Sequence, residues 1–173
     1  MTKNIDFAAL DLRDALYLAI LIEQEAQERY TEFARELGSR YDGDATDVFL
    51  SMAENEAKHG QQLTDRRRML FDDQPQRVDA SMVWDVEAPE YGEAKPYMSA
   101  RQATLVALES EKKAHAFYVE ALKFVHSPSV RDLFEELRDE EVLHQQILKG
   151  HLAKLPAGEG PDKEVDSIEL PAL

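Results

Sequence analysis

The sequence predicts an all-α fold: a four-helix bundle of two antiparallel hairpins joined by a long crossover and followed by an extended C-terminal tail. Two observations predict it. Apolar residues recur at steps of three and four over four long segments, the spacing that lines one buried face of a helix. Glycine and proline are scarce in the 173 residues and cluster between those segments, where they end helices.

The composition limits the classes of function. A chain of this length buries a core without covalent staples, and the absence of cysteine excludes disulfides, thiolate zinc sites, iron–sulfur clusters and cysteine nucleophiles. The net charge of −15 disfavours nucleic acid and anionic membranes as partners. No run of eighteen apolar residues occurs, and the N-terminus lacks a basic segment followed by a long apolar one. We therefore expect a soluble, cytoplasmic protein that binds neither nucleic acid nor membrane.

The first two helices are predicted to form one hairpin. The first runs from about Leu10 to Leu37 and ends at Gly38, a residue type that commonly follows a helix C-terminus. The second follows Asp44, which can cap a helix N-terminus, and ends near Phe71. Because the connection between them is short, the two helices should be antiparallel neighbours.

Residues 72–98 have no sustained periodicity and contain three prolines. Extended chain covers about 3.3 Å per residue, so this segment is long enough to cross from one end of the bundle to the other. The helices on either side of it should then run parallel, and Val83 and Trp84 are expected to pin the crossover onto the bundle. Residues 1–155 would form one domain that includes the crossover, with residues 156–173 as an acidic, flexible tail.

Capping signals also mark the second hairpin. Ser99 with Gln102 has the pattern of a capping box and opens the third helix, which is predicted to end near His126. Ser127 followed by Pro128 is typical of a helix start, because proline is tolerated in the first turn. The third and fourth helices are therefore a second hairpin.

Each predicted helix has a glutamate near the middle of its apolar face. The four residues are Glu23, Glu56, Glu111 and Glu141. A buried charge is unfavourable unless it is paired or binds a metal, and mid-helix positions of an antiparallel bundle meet at one height. Two of the glutamates are followed three residues later, on the same helix face, by His59 and His144. We therefore predict a layer of four carboxylates and two imidazoles in the core.

A single Glu-x-x-His pair in an acidic helical protein is usually two solvated side chains, and lone tyrosines are usually core aromatics. The coincidence of two such pairs with two lone core glutamates favours a metal site. So does a repeated Glu-x₆-Tyr spacing, which relates Glu23 and Tyr30 to Glu111 and Tyr118. Unpaired carboxylates in one layer would repel and take up protons, whereas two divalent cations would neutralise them. An oxygen-rich set with two imidazoles suits iron or manganese better than a structural zinc.

The order glutamate, Glu-x-x-His, glutamate, Glu-x-x-His on successive helices resembles the ferritin-like di-iron carboxylate proteins. Over residues 10–155, the segments IEQEAQERYTEFA, ENEAKH, LESEKKAHAFYVEAL and LFEELRDEEVLH are similar to the rubrerythrin family. The resemblance implies two iron ions, with manganese or zinc as substitutes, bound by Glu23, Glu56, His59, Glu111, Glu141 and His144. It also implies reduction of hydrogen peroxide or oxidation of Fe(II), with the four glutamates in the catalytic site. From their own positions in the repeat, we expect Tyr30 and Tyr118 to hydrogen-bond the ligands or relay electrons, and we expect O₂ as an alternative oxidant.

The sequence departs from that family in two respects. Rubrerythrins usually append a rubredoxin domain with a four-cysteine iron, so a chain without cysteine should take electrons from an external donor protein or from Fe(II) itself. They also tend to carry a further glutamate one turn after the ligand on helix three, where this sequence has Ala114. We therefore expect the simpler six-residue ligand set and less selectivity for peroxide over O₂, with the neighbouring His115 as an additional candidate ligand.

Three functions are compatible with these patterns. The leading one is a non-haem di-iron peroxidase or oxidase that protects against oxidative stress and forms a homodimer. The second is iron handling, in which Fe(II) is the substrate and is oxidised and stored or passed on. The third is a non-redox helical scaffold whose site holds zinc or nothing. A dimer favours the enzyme, whereas a closed shell favours storage.

Overall fold

The computed structural model describes residues 5–78 and 86–156. These residues form four helices and no strand, which confirms the predicted all-α four-helix fold. The helices are α1 (Leu12–Leu37), α2 (Ala45–Phe71), α3 (Ala100–Ala121) and α4 (Pro128–Leu152). None of the described helices has the length and apolar character needed to cross a membrane.

Helix ends lie close to the predicted positions where a capping residue marks them. The carboxylate of Asp44 accepts hydrogen bonds from two backbone N–H groups in the first turn of α2. Ser99 and Gln102 form the predicted capping box at the start of α3. Gly38 ends α1 with a φ of 63°, a left-handed conformation that favours glycine.

One of the two predicted helix bounds in the second hairpin was wrong. Helix α3 ends at Ala121 rather than near His126, because the chain there turns more tightly: the Lys123 N–H bonds the Glu120 carbonyl, three residues back, at 3.2 Å. Ser127 does precede α4, but its side chain makes no capping hydrogen bond.

The buried apolar residues form two clusters, one towards each end of the bundle. The first cluster contains, among others, Leu16, Leu63, Ala121 and Leu133. The second contains, among others, Phe33, Phe49, Ala107 and Leu148. The end of α2 thus packs with the end of α3, and their starts pack together in the other cluster. Helices α2 and α3 therefore run parallel, as a crossover requires, while each hairpin is antiparallel.

The described parts of the crossover run along the bundle from one cluster to the other. Val78 and Val86 belong to the first cluster, and Ala88 and Met98 belong to the second. The backbone between Val86 and Ala88 therefore passes the middle of the bundle, at the level where the apolar clusters meet.

Two predictions fall on residues that the structure does not describe. The anchoring of the crossover by Val83 and Trp84 lies outside the described residues, as does the predicted tail of residues 156–173 apart from Pro156. The part of the crossover before residue 79 is attached to the start of α1 by Arg77, whose guanidinium donates to the Asp14 carboxylate at 2.8 Å.

Candidate metal centre

Four glutamates occupy the layer between the two apolar clusters. They are Glu23, Glu56, Glu111 and Glu141, and none is more than 3% exposed. Each comes from the middle of a different helix and lies between core residues of that helix, as Glu23 lies between Ile22 and Ala26. The structure thus brings together the four carboxylates that the helical pattern singled out.

The first hairpin contributes a triad of Glu23, Glu56 and His59. Its candidate ligand atoms all lie within 4.8 Å of one another. The Nδ1 atom of His59 is 3.8 Å from Glu23 Oε2 and 3.7 Å from Glu56 Oε2. One imidazole nitrogen therefore faces both carboxylates of its own hairpin.

The second hairpin repeats this arrangement with Glu111, Glu141 and His144. Nδ1 of His144 is 3.0 Å from Glu111 Oε2 and 3.7 Å from Glu141 Oε2. Burial alone would lower the pKa of His144, but its hydrogen bond to Glu111 and its interaction with Glu141 outweigh burial and raise that pKa from 6.5 to about 11. The imidazole is therefore a cation at neutral pH when no metal is bound, and it partly neutralises its own triad.

A further residue, Glu87 of the crossover, enters the same layer. It is 2% exposed and forms a third group of candidate ligands with Glu56 and Glu111, again within 4.8 Å. Because Glu56 and Glu111 belong to different triads, Glu87 lies where the two triads meet. The helical pattern missed it, since the crossover is aperiodic and carries several other acidic residues. The small apolar neighbours Val86 and Ala88 are the local signal that could have marked it.

Five buried glutamates leave carboxylate oxygens without a hydrogen-bond partner among the described residues. These atoms are Glu23 Oε2, both oxygens of Glu56, Glu87 Oε2, Glu111 Oε1 and Glu141 Oε2. Burying a carboxylate oxygen without a donor is costly, and a cation held among them would satisfy these oxygens. Carboxylates together with imidazole nitrogens suit iron and manganese. The residues present therefore fit the metal ions that the sequence predicted.

Without a bound cation, three of the buried glutamates bind protons more tightly than ordinary glutamates do. Burial and then the charge of Glu56 raise the pKa of Glu23 well above its ordinary value. Burial and then the charge of Glu23 do the same to the pKa of Glu87. The pKa of Glu141 is also raised, by burial and by its closeness to Glu111. Protons and metal ions therefore compete for the same oxygens.

The two tyrosines of the internal repeat, Tyr30 and Tyr118, are fully buried beside this layer. Neither hydroxyl makes a hydrogen bond within the described part of the chain. Burial raises the pKa of both phenols, and the charge of Glu111 adds to this for Tyr30, as that of Glu23 does for Tyr118. Each tyrosine is thus influenced by the lone glutamate of the other hairpin. Their part in hydrogen bonding or electron relay stays a prediction.

The structure does not bring His115 into the centre. It is only half-buried and belongs to none of the candidate ligand groups found among the described residues. The buried face of α3 passes instead through Ala114, which is 0% exposed. His115 lies four residues after Glu111 and was therefore expected on the same face of the helix. The residue that faces the core is instead Ala114, three residues after Glu111.

A small cleft of about 80 Å³ opens beside the first triad, between α2 and α4. His59 lies in its wall together with Leu63 and Leu137, and the ion pair between Arg66 and Glu136, with 2.8 Å between Nη1 and Oε2, lies at its rim. The cleft accounts for the 24% exposure of the His59 side chain. The cleft therefore brings solvent to the His59 side of the first triad.

Four helices with one glutamate or one Glu-x-x-His pair each in a central layer define the ferritin-like class of carboxylate bundles. A family model described as Rubrerythrin matches residues 14–152, and the chain belongs to the rubrerythrin family. Among solved structures, it is similar to an uncharacterized conserved protein from Magnetospirillum magnetotacticum MS-1, with 27% identity, coverage of 88% of this chain and 100% of that one, and a TM-score of 0.64. A search of curated proteins found no significant match.

Proposed function

We propose that the protein is a non-haem di-iron oxidoreductase that reduces hydrogen peroxide or O₂. One observation carries the proposal: two triads of two glutamates and one histidine meet in a buried layer in which six carboxylate oxygens have no hydrogen-bond donor among the described residues. Membership of the rubrerythrin family supports a di-iron centre. The reduction of peroxide in particular is our inference from this chemistry.

Each hairpin would hold one ion. Glu23, Glu56 and His59 would bind the first, and the second would be bound by Glu111, Glu141 and His144. Two irons supply two electrons when both pass from the ferrous to the ferric state, which matches the two electrons that convert one H₂O₂ and two protons into two waters. Because carboxylates bind through one or two oxygens, such a ligand set can adjust to both oxidation states.

The protein's own groups control protons and access. His144 gives up a proton when its Nδ1 atom takes up a metal, because a ligand nitrogen must be unprotonated. Tyr30 and Tyr118 stay neutral at physiological pH, since the pKa of each phenol is raised by burial, and each can donate a hydrogen bond or pass an electron. We infer that peroxide approaches the centre through the cleft of about 80 Å³ beside His59, whose volume restricts larger molecules.

Turnover requires that two electrons return to the irons after each cycle. The 173 residues contain no cysteine and so offer no thiolate-bound iron for this step. We infer that an external electron-donor protein supplies the electrons. The homodimer and the cytoplasmic location expected from the sequence stay predictions.

Anaerobic titration with Fe(II), followed by separate additions of H₂O₂ and O₂, tests the proposal. The expected result is two Fe(II) per chain and oxidation of the diferrous protein by one equivalent of H₂O₂. A Glu111→Ala, Glu141→Ala variant serves as the control that should fail to bind the second ion. Uptake of fewer than two ions by the unmodified protein, or no reaction with either oxidant, would overturn the proposal.

Iron handling is the second candidate, and the acidic rim of the cleft favours it. The opening next to His59 is lined by the carboxylates of Glu136 and Glu140 and by the guanidinium of Arg66, which pairs with Glu136. One negative charge is left over, and negative charge at an opening concentrates cations there. In this case Fe(II) would be the substrate, and repeated additions of Fe(II) and O₂ would deposit more than two ferric ions per chain. Tight binding of Zn(II) without any redox reaction would instead favour the non-redox scaffold.

A further inference from the structure

We propose that Glu87, which the crossover carries into the core, is a seventh protein ligand of the metal centre. The inference rests on the proposed function, because it requires metal ions at the two triads. The proposed ligand, however, comes from a loop and not from any of the four helices.

The position of Glu87 distinguishes it from an ordinary loop glutamate. Its side chain is 2% exposed, and its Oε2 atom has no hydrogen-bond partner in the described residues. Its carboxylate lies within 4.8 Å of candidate ligand atoms of Glu56 and Glu111. Since those two glutamates come from different triads, the carboxylate of Glu87 lies where both ions would be within reach.

The backbone that carries Glu87 is attached to the bundle from two sides. Lys113 of α3 donates through Nζ to the Ala88 carbonyl at 2.6 Å, and Arg29 of α1 donates to the Pro89 carbonyl. The Arg29 guanidinium, which is 4% exposed, also lies 3.3 Å from the centre of the Tyr91 ring. Helices α1 and α3 therefore hold the segment in place, and a rigid backbone is what a coordinating side chain needs.

Helices α1 and α3 provide no further carboxylate at this level of the core. One turn beyond Glu111, α3 presents Ala114, and one turn beyond Glu23, α1 presents Ala26; both are 0% exposed. Neither helix supplies a second carboxylate at this turn, and Glu87 enters the same layer from the crossover. We infer that Glu87 compensates for the carboxylate that is missing at Ala114.

If Glu87 is a ligand, metal binding should also make the crossover around Glu87 more rigid. With metal bound, the chain around Glu87 is held at a third point in addition to its contacts with Arg29 and Lys113. Residues 86–91 should then exchange their backbone amide hydrogens more slowly in the metal-bound protein than in the metal-free protein.

Binding of Co(II) to Glu87→Gln under anaerobic conditions tests the proposal, with Glu90→Gln as the matched control. Both changes replace a glutamate of the same segment by its neutral isostere, but Glu90 is exposed. The unmodified protein and Glu90→Gln should bind two Co(II) per chain with equal affinity. Glu87→Gln should bind at least about tenfold more weakly, as loss of even an indirect partner of a metal site costs that much, and its visible Co(II) spectrum should change because a ligand has been lost.

The possible outcomes separate the two proposals. Unchanged Co(II) affinity and spectrum in Glu87→Gln would show that Glu87 is no ligand, while the six-residue centre would stand. Failure of the unmodified protein to bind two ions would overturn both proposals. Hydrogen exchange of the unmodified protein provides a test that does not depend on the folding of any variant: if Co(II) leaves the exchange of residues 86–91 unchanged, the ligand role of Glu87 is wrong.

Discussion

The imidazole rings of His59 and His144 are stacked in parallel, with their centres 4.7 Å apart and their planes 3° apart. They come from α2 and α4, and each turns its Nδ1 atom towards the glutamates of its own hairpin. The stack therefore joins two equivalent half-sites, as expected if each hairpin holds one ion. The halves are not identical, since Nδ1 of His144 is 3.0 Å from the lone glutamate of its hairpin and Nδ1 of His59 is 3.8 Å from its counterpart.

The metal-free protein should become less stable as the pH rises from 5 to 9. The folded-state pKa of Glu23, Glu87 and Glu141 lies well above the ordinary 4.5, so above pH 4.5 the folded protein retains protons that the unfolded chain has lost. The raised pKa of His144, about 11 against 6.5, acts in the same direction from pH 6.5 upwards. Stability falls with pH wherever the folded state binds more protons.

Thermal unfolding in the presence of a chelator, followed by circular dichroism over this pH range, is the measurement. The metal-loaded protein is the comparison and should show the opposite trend, because protons compete with metal for the same ligands. A melting temperature that rises with pH in the chelator would contradict the assigned pKa shifts.

Replacing Glu56 by leucine should stabilise the metal-free fold while removing metal from the first triad. Both carboxylate oxygens of Glu56 are buried without a partner in the described residues. A buried polar group without a hydrogen bond costs about 1–3 kcal/mol, and leucine avoids this cost. Urea unfolding in chelator and metal titration provide the two measurements. Glu54→Leu makes the same change at an exposed position of α2 and should shift stability by no more than about 0.5 kcal/mol. A Glu56→Leu protein that still binds two ions would argue against the first triad.

Narrowing the cleft beside His59 should slow oxidation without weakening metal binding. Gln62 lines the cleft, whereas its neighbour Gln61 does not. Gln62→Trp should therefore reduce the rate at which H₂O₂ oxidises the diferrous protein severalfold, while Gln61→Trp leaves it near the unmodified value. Stopped-flow absorbance measures the rates, and an anaerobic titration checks that two ions are still bound. Equal rates in both variants would mean that peroxide enters elsewhere.

Introducing a carboxylate at Ala114 should shift reactivity from O₂ towards peroxide. The position is one helical turn beyond Glu111 on the same face of α3. Since Ala114 is fully buried, the larger side chain should also destabilise the metal-free fold by about 1–3 kcal/mol. Stopped-flow oxidation by H₂O₂ and by O₂ gives the selectivity, and Ala114→Gln controls for size without charge.

If Glu87 compensates for the carboxylate that position 114 lacks, a glutamate introduced at position 114 should restore the metal affinity that Glu87→Gln has lost. A double variant, Ala114→Glu with Glu87→Gln, is therefore expected to bind Co(II) more tightly than Glu87→Gln alone. No gain in affinity, together with unchanged selectivity in the single variant, would mean that position 114 plays no part at the centre.

Much of this fold could be predicted from local patterns in the chain. Helical periodicity and capping residues such as Asp44 and Ser99 act over a few neighbouring residues, so they can be recognised without knowing the rest of the structure. The same holds for the central layer. A glutamate that interrupts an apolar stripe, as Glu111 does, is noticeable because the stripe itself predicts burial.

Only the tertiary structure decided which residues outside the helical stripes reach the core. The crossover has no period, so the burial of Glu87 depends on where the chain passes over the bundle and on the helices that hold it there. The sequence spacing alone also allowed His115 to share the face of Glu111. In the structure, the packing of α3 against its neighbours buries Ala114 instead. Which of two adjacent helix positions is buried depends on how the neighbouring helices cross, and this crossing is a property of the whole bundle.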